Sequence, residues 1–121
     1  MPTHELIVIG IVFLLTLIDY ITGVVNAIMH SELSSEKMRQ GLGHKFSYLA
    51  IICMALLVEY GSDYINLGIE VPLFMPVCTG ICLIEITSIT ENCTKINPEL
   101  SKSNIINIFK DNKKENNSKE N

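Results

Sequence analysis

The chain has 121 residues, of which 48% are hydrophobic and 18% are charged, and its formal net charge is −4. This length allows one domain and excludes a two-domain enzyme. The mean hydropathy of +0.33 is high for a soluble domain, so we expect a membrane protein. Basic residues do not outnumber acidic ones and the chain has no Trp, so nucleic acid is not an expected partner.

Three long apolar blocks, at about residues 6–29, 46–67 and 71–92, decide the predicted architecture. Each has about the 20 residues that an α-helix needs to cross a hydrocarbon core of about 30 Å. The first block is longer than the core of a signal peptide and lacks a basic flank, so we expect it to be retained. Pro72 and Pro76 weaken the third block, for which a re-entrant hairpin is the alternative. The sequence therefore predicts an all-α integral membrane protein with three transmembrane helices.

The basic residues indicate an orientation. All of them lie either between the first two blocks or after the third. The positive-inside rule then places the first connection and the C-terminus in the cytoplasm, and the N-terminus and the second connection outside. In the first connection, Ser34 and Ser35 are candidate caps of a short interfacial helix that Gly41 and Gly43 would end, and a solvated connector is the alternative.

The composition changes after Pro98. Residues 1–100 form the predicted membrane domain. Residues 101–121 are rich in Asn, Lys, Glu and Ser, and this composition is typical of a disordered, charged cytoplasmic tail.

Polar residues recur at helical spacing within the apolar blocks. Ionisable side chains at membrane depth cost about 2.5–3.5 kcal/mol to insert, and they usually face a bundle interior or a water-filled cavity. Asp19 and Glu85 are expected at similar depths, so they can face each other. The intramembrane polar or pore candidates are Asp19, Asn26, Glu59, Asp63, Glu85, Ser88 and Asn92, and the helix-packing candidates are Gly23 and Ala27.

Two interpretations of these polar residues remain open. In the first, they hold the bundle together through hydrogen bonds between helices, with Asp19 or Glu85 protonated or paired with Lys45. In the second, they line water when several copies of the chain assemble. The two interpretations are compatible, because a polar face can be sealed in one assembly and wetted in another.

The sequence offers no candidate for catalysis or for a metal site. Cys53, Cys78, Cys82 and Cys93 are predicted to be packing residues, because the three histidines are scattered and cannot complete a site with them. The sequence has no glycine-rich phosphate loop and no nucleophile elbow. We therefore expect no cofactor, no metal and no enzymatic activity.

Two segments of the chain carry a resemblance to a known family. In IDYITGVVNAIMHSELSSEKMRQGLGHK, residues 18–45, an intramembrane Asp and Gly precede Asn-Ala, a serine-containing connection and Gly-x-x-x-Lys. The second segment is EITSITENCTKINPEL, residues 85–100. In this order and separation they resemble the toxin-secretion and phage-lysis holin family over about residues 8–100. The matching positions are Asp19, Gly23, Lys45, Glu85, Ser88, Glu91 and Asn92.

The resemblance implies a phage- or prophage-encoded protein of the bacterial cytoplasmic membrane. Such a protein assembles with further copies of itself in the lipid bilayer and opens lesions through which an endolysin or an exported toxin passes. An antiholin is a further expected partner. Two alternatives stay open: a small proton- or cation-conducting channel or transporter, and an antiholin that regulates lysis.

Overall fold

A computed structural model describes residues 2–102 and, beyond them, residues 114, 116, 117 and 119. The predicted tail falls mostly outside these residues. The described part has no strand, and its elements are α1 (Pro2–Met29), α2 (Ser35–Gly61), α3 (Phe74–Ile96) and a short 3-10 helix (Pro98–Lys102). Each α-helix is long and apolar enough to cross a membrane. The predicted all-α fold with three candidate spans is therefore confirmed.

The first loop, residues 30–34, reverses the chain after α1. Ser31 has a left-handed φ of 54°. Its N–H donates to the carbonyl of Ile28 at 3.2 Å, and the N–H of Glu32 donates to the carbonyl of Ala27 at 2.8 Å. These two bonds form a Schellman motif, which satisfies carbonyl groups at the end of α1 and turns the chain toward α2.

α2 begins well before its predicted start at residue 46. Ser34 is its N-cap, as expected, and the Ser34 hydroxyl accepts a hydrogen bond from the N–H of Lys37 at 3.1 Å. The glycines do not end this helix. A Cβ on Gly41 would lie 3.8 Å from the ring of Tyr20, so this turn of α2 packs on α1. Such packing offsets the cost of about 1 kcal/mol of a helical glycine, and the predicted interfacial helix is therefore the first part of α2.

The second loop, residues 62–73, is longer than the predicted connection. α2 ends at Gly61, where its carbonyl accepts hydrogen bonds from the N–H groups of Tyr64 and Ile65 in a turn. Asp63 lies in this turn and is exposed. The prediction that Asp63 lies in the second helix is therefore wrong, because the residues beyond Gly61 belong to the loop.

α3 is one continuous helix, so the chain does not form the alternative re-entrant hairpin. Pro72 precedes the helix and Pro76 lies in its first turn, where an N–H would have no partner within the helix. Leu73, the N-cap residue, provides no side-chain cap. Instead Oε2 of Glu59, near the end of α2, accepts a hydrogen bond from the N–H of Phe74 at 3.1 Å. Glu59 therefore caps α3 at the second-loop end of the bundle.

The half of the bundle nearest the second loop has an apolar core to which all three helices contribute. α1 runs parallel to α3 and packs mainly on it, whereas α1 and α2 make few contacts. At this end the hydroxyl of Tyr60 donates to Oε1 of Glu5 at 2.8 Å and joins α2 to α1. Large apolar side chains elsewhere point outward, as expected for a bundle in lipid. The core consists of Val12, Ile52, Phe74, Cys78 and Ile81.

The cap on α3 can be tested with Glu59→Ala. We expect a loss of about 1 kcal/mol in the free energy of unfolding, because the first turn of α3 loses its acceptor. Amide hydrogen exchange of the purified protein in detergent should show faster exchange at Phe74. Glu59→Gln is the matched control, since its amide oxygen still accepts a hydrogen bond and should preserve most of the protection. Equal exchange in the wild type and Glu59→Ala would contradict the capping role.

Candidate functional site: a buried charge cluster

Three charged side chains, one from each helix, meet inside the bundle. Lys45 of α2 donates hydrogen bonds from Nζ to Oδ2 of Asp19 on α1 and, at 2.7 Å, to Oε2 of Glu85 on α3. These contacts are also ion pairs. We call Asp19, Lys45 and Glu85 the charge cluster. Its geometry agrees with the expectation that the two carboxyl groups lie at one depth, and it contains the pairing with Lys45 that the sequence left open.

Asn92 of α3 completes the hydrogen bonding of Asp19. Its Nδ2 lies 3.2 Å from Oδ1 of Asp19, 3.3 Å from the Asp19 carbonyl and 3.1 Å from Oγ1 of Thr22. Asn92 approaches α1 at Gly23, where an added Cβ would lie 3.6 Å from Nδ2. A residue larger than alanine at this position would meet Asn92, so the small residue predicted for helix packing lies beside the polar contact.

The charge cluster is shielded from solvent by the bundle itself. Glu85 is 1% exposed and Asp19 is 8% exposed. A buried charge without a partner costs several kcal/mol, so these carboxyl groups depend on Lys45. The ring of Tyr48 adds a weaker contact, with its centroid 5.6 Å from Nζ of Lys45. Breaking the cluster is therefore expected to separate α1 from α2, which otherwise touch little.

The three charged residues lie at the same height in the bundle. Each is about 15 Å, at about 1.5 Å per residue, from the end of its helix at the first loop. A hydrocarbon core is about 30 Å thick, so the cluster lies near mid-depth when these helix ends reach the membrane surface. The helix ends in question are Met29, Ser35 and Ile96.

A cavity of about 370 Å³ extends from the charge cluster toward the first loop. Its lining includes apolar residues such as Leu33 and Ile84, and we call it the polar cavity because the charge cluster and other charged residues also line it. The three helices and the loop all contribute to its lining, and the loop residue Glu32 is exposed. On the opposite side of the cluster the apolar core fills the bundle. The bundle thus has an apolar core toward the second loop and a cavity lined by both polar and apolar side chains toward the first loop. Beyond the cluster, the predicted residues Gly23, Asn26, Ala27, Ser88 and Asn92 line this cavity.

Three other candidates do not join this site. Glu59 caps α3 and Asp63 lies in the second loop, both at the far end of the bundle. Glu91 is exposed and lies at a groove on the side of α3, together with Leu83 and Thr87. The positions that match the family's motifs therefore divide into two groups. The buried or half-buried positions meet in the cluster and cavity, whereas Glu91 is exposed.

Sequence reasoning missed the aromatic residues of the site. Tyr20 and Tyr48 line the cavity, and Tyr20 also packs on Gly41. Helical spacing could have identified Tyr48, because residues three positions apart share a helix face and Tyr48 is three residues after Lys45. Among the described residues no group of three or more His, Cys, Asp or Glu side chains is placed to hold a metal ion. Cys78 belongs to the apolar core instead.

The helices and the buried charges define a multi-pass helical membrane protein whose intramembrane charges are paired with one another. The comparison with protein families narrows this class. The profile of the bacteriophage holin family matches residues 4–112, and the chain belongs to this family. The match confirms the resemblance to holins. The holin family is not a family of enzymes. No curated protein and no solved structure shows a significant match.

Removing the shared cation should destabilise the bundle more than removing one carboxylate. We expect Lys45→Met to lower the free energy of unfolding by about 3–5 kcal/mol, because two buried carboxyl groups lose their partner. Asp19→Asn should cost less, since Lys45 can still pair with Glu85. Unfolding of the purified protein by a denaturing detergent measures both changes. The control is Lys95→Met at an exposed position of α3, and equal stability of all three variants would rule out the cluster as a structural joint.

Proposed function

We propose that the chain acts as a holin in the cytoplasmic membrane of a bacterial host, where several copies assemble and open lesions. The lesions release an endolysin, which then reaches the cell wall, or an exported toxin. Family membership and three spans of sufficient length support this function. The observation that carries the mechanism is the charge cluster at the closed end of a polar cavity. The charge cluster and the cavity give each copy a set of polar groups that the bundle can keep away from lipid.

In the proposed mechanism the single bundle is the closed form. Lys45 holds Asp19 and Glu85 inside, and the outer faces of the helices are apolar and contact lipid. In a large assembly, polar groups of neighbouring copies and water replace the contacts within each bundle, so the polar side of the cavity becomes the wall of a lesion. Small residues such as Gly23 and Ala27 let helices approach closely during this rearrangement.

The membrane potential is the proposed trigger. One elementary charge that crosses the full field gains or loses about 2.3 kcal/mol per 100 mV. A charge at mid-depth senses part of this energy, so a fall in the potential alters the balance between the sealed and the opened arrangement. Timing then depends on the charge cluster and on the local concentration of copies.

Inducible expression in a bacterium with a cytoplasmic cell-wall hydrolase tests the function. We expect abrupt depolarisation together with escape of the folded enzyme and loss of culture density. Depolarisation without escape would replace the proposal with a small channel. Neither event, combined with delayed lysis when the chain is added to an active holin system, would identify an antiholin.

Neutral variants of the cluster test the mechanism. Asp19→Asn and Glu85→Gln each leave Lys45 paired with one carboxylate, so the sealed bundle remains and its response to the potential weakens. We expect lysis to begin later than in the wild type at equal protein accumulation. Glu70→Gln, at an exposed position of the second loop, is the control and should keep the normal schedule. If both cluster variants lyse cells on the normal schedule, the proposed mechanism is wrong and the polar residues have a structural role alone.

The orientation proposed from the basic residues has a separate test. Single cysteines are placed at Ser31 in the first loop and at Asn66 in the second, in a chain whose four native cysteines are replaced. A membrane-impermeant thiol reagent should label the Asn66→Cys variant in intact spheroplasts and the Ser31→Cys variant in inverted vesicles. The reverse labelling would overturn the orientation, whereas the three spans would stand.

A further inference from the structure

The charge cluster contains two carboxyl groups and one ammonium group. When all three are ionised, the cluster carries one excess negative charge near the middle of the membrane. Lys45 is shared between both carboxylates, so neither has a full counter-charge. A buried excess charge is costly in a low dielectric, and a carboxylate in this position avoids the cost by taking up a proton.

The hydrogen bonds distinguish the two carboxyl groups. Both oxygens of Asp19 accept hydrogen bonds: Oδ2 from Lys45, and Oδ1 from Asn92 at 3.2 Å. Each carboxylate oxygen of Asp19 therefore has a donor. Glu85 receives its donor at Oε2 from Lys45, and it is the more deeply buried of the two, with 1% exposure. The excess proton is therefore better placed on Glu85.

The polar cavity provides access to the cluster from one side. It connects the cluster with exposed residues of the first loop, whereas the apolar core closes the side toward the second loop. Asn26 of α1 lines the cavity, and its Oδ1 is buried and has no hydrogen-bond partner among the described residues. A polar cavity of this size accommodates several waters. The titratable groups that line it are Asp19 and Tyr20 of α1, Glu32 of the first loop, Lys37, His44, Lys45 and Tyr48 of α2, and Glu85 of α3.

We propose that Glu85 is a proton-binding site of the closed bundle, supplied with protons through the polar cavity from the first-loop side. A hydronium ion in the cavity transfers its proton to a carboxylate oxygen of Glu85 and becomes water, and no other bond changes. The product is a neutral cluster in which Lys45 balances Asp19 and Glu85 is an uncharged carboxylic acid. Loss of the proton restores the excess charge and weakens the joint between the helices.

Infrared difference spectroscopy of the full chain in lipid vesicles tests this site, because a protonated carboxyl group has its own carbonyl band. At neutral pH we expect a signal of one protonated carboxyl group per chain. Isotope labelling of glutamate side-chain carboxyl groups should shift this band. Glu85→Gln should lose it, and Asp19→Asn should lose it as well, since Lys45 then pairs with an ionised Glu85. Glu70→Gln is the control and should retain it.

The side of access is tested in sealed vesicles of a single orientation. Raising the pH on the first-loop side should remove the band, and raising it on the second-loop side alone should not. The site is overturned if the wild type lacks the band, if the glutamate label does not shift it, or if it survives in Glu85→Gln. If raising the pH on the second-loop side alone removes the band, the proposed proton route through the polar cavity is overturned. Because the measurement needs no lysis, its result is independent of the holin activity proposed above.

Discussion

The structure depends on one ammonium group held between two carboxyl groups. In a bilayer the hydrophobic effect does not drive helices together, because lipid tails are as apolar as the side chains they would replace. α1 and α2 make few contacts, apart from their shared apolar core and the bond between Tyr60 and Glu5. Lys45 reaches across this gap to Asp19 and also binds Glu85. The cost of an unpaired charge in hydrocarbon therefore keeps the three helices in one register.

The same interaction divides the bundle into two halves with different properties. Toward the second loop, Val12, Phe74 and Ile81 pack into an apolar core that leaves little room for water. Toward the first loop, polar side chains of all three helices line a cavity. The charge cluster lies between them and seals the polar half from the apolar half. A membrane protein of this form can keep polar groups ready at mid-depth while its outer surface remains compatible with lipid.

Much of this arrangement could be predicted from residue spacing, and the remainder depended on contacts between helices. The three spans and the common depth of Asp19 and Glu85 follow from hydropathy and from counting turns. Hydropathy alone does not locate turns, so it predicts a second helix that includes Asp63, whereas α2 ends at Gly61. The local sequence predicts a helix end at Gly41, because the packing of Gly41 on Tyr20 cannot be read from it. The bond from Asn92 to Asp19 likewise required the parallel packing of α1 on α3.

The division into halves also limits how the proposed lesion can form. A continuous aqueous path must pass the apolar core, which a single bundle keeps closed through side chains from all three helices. Enlarging the polar cavity within one chain would not open this path, because the core would still block its far side. Separation of the helices is required instead, and the sparse contacts between α1 and α2 make that boundary the easiest to open once Lys45 releases a carboxylate. Further copies of the chain would then have to cover the exposed polar faces, which is a physical reason for the proposed lesion to need an assembly.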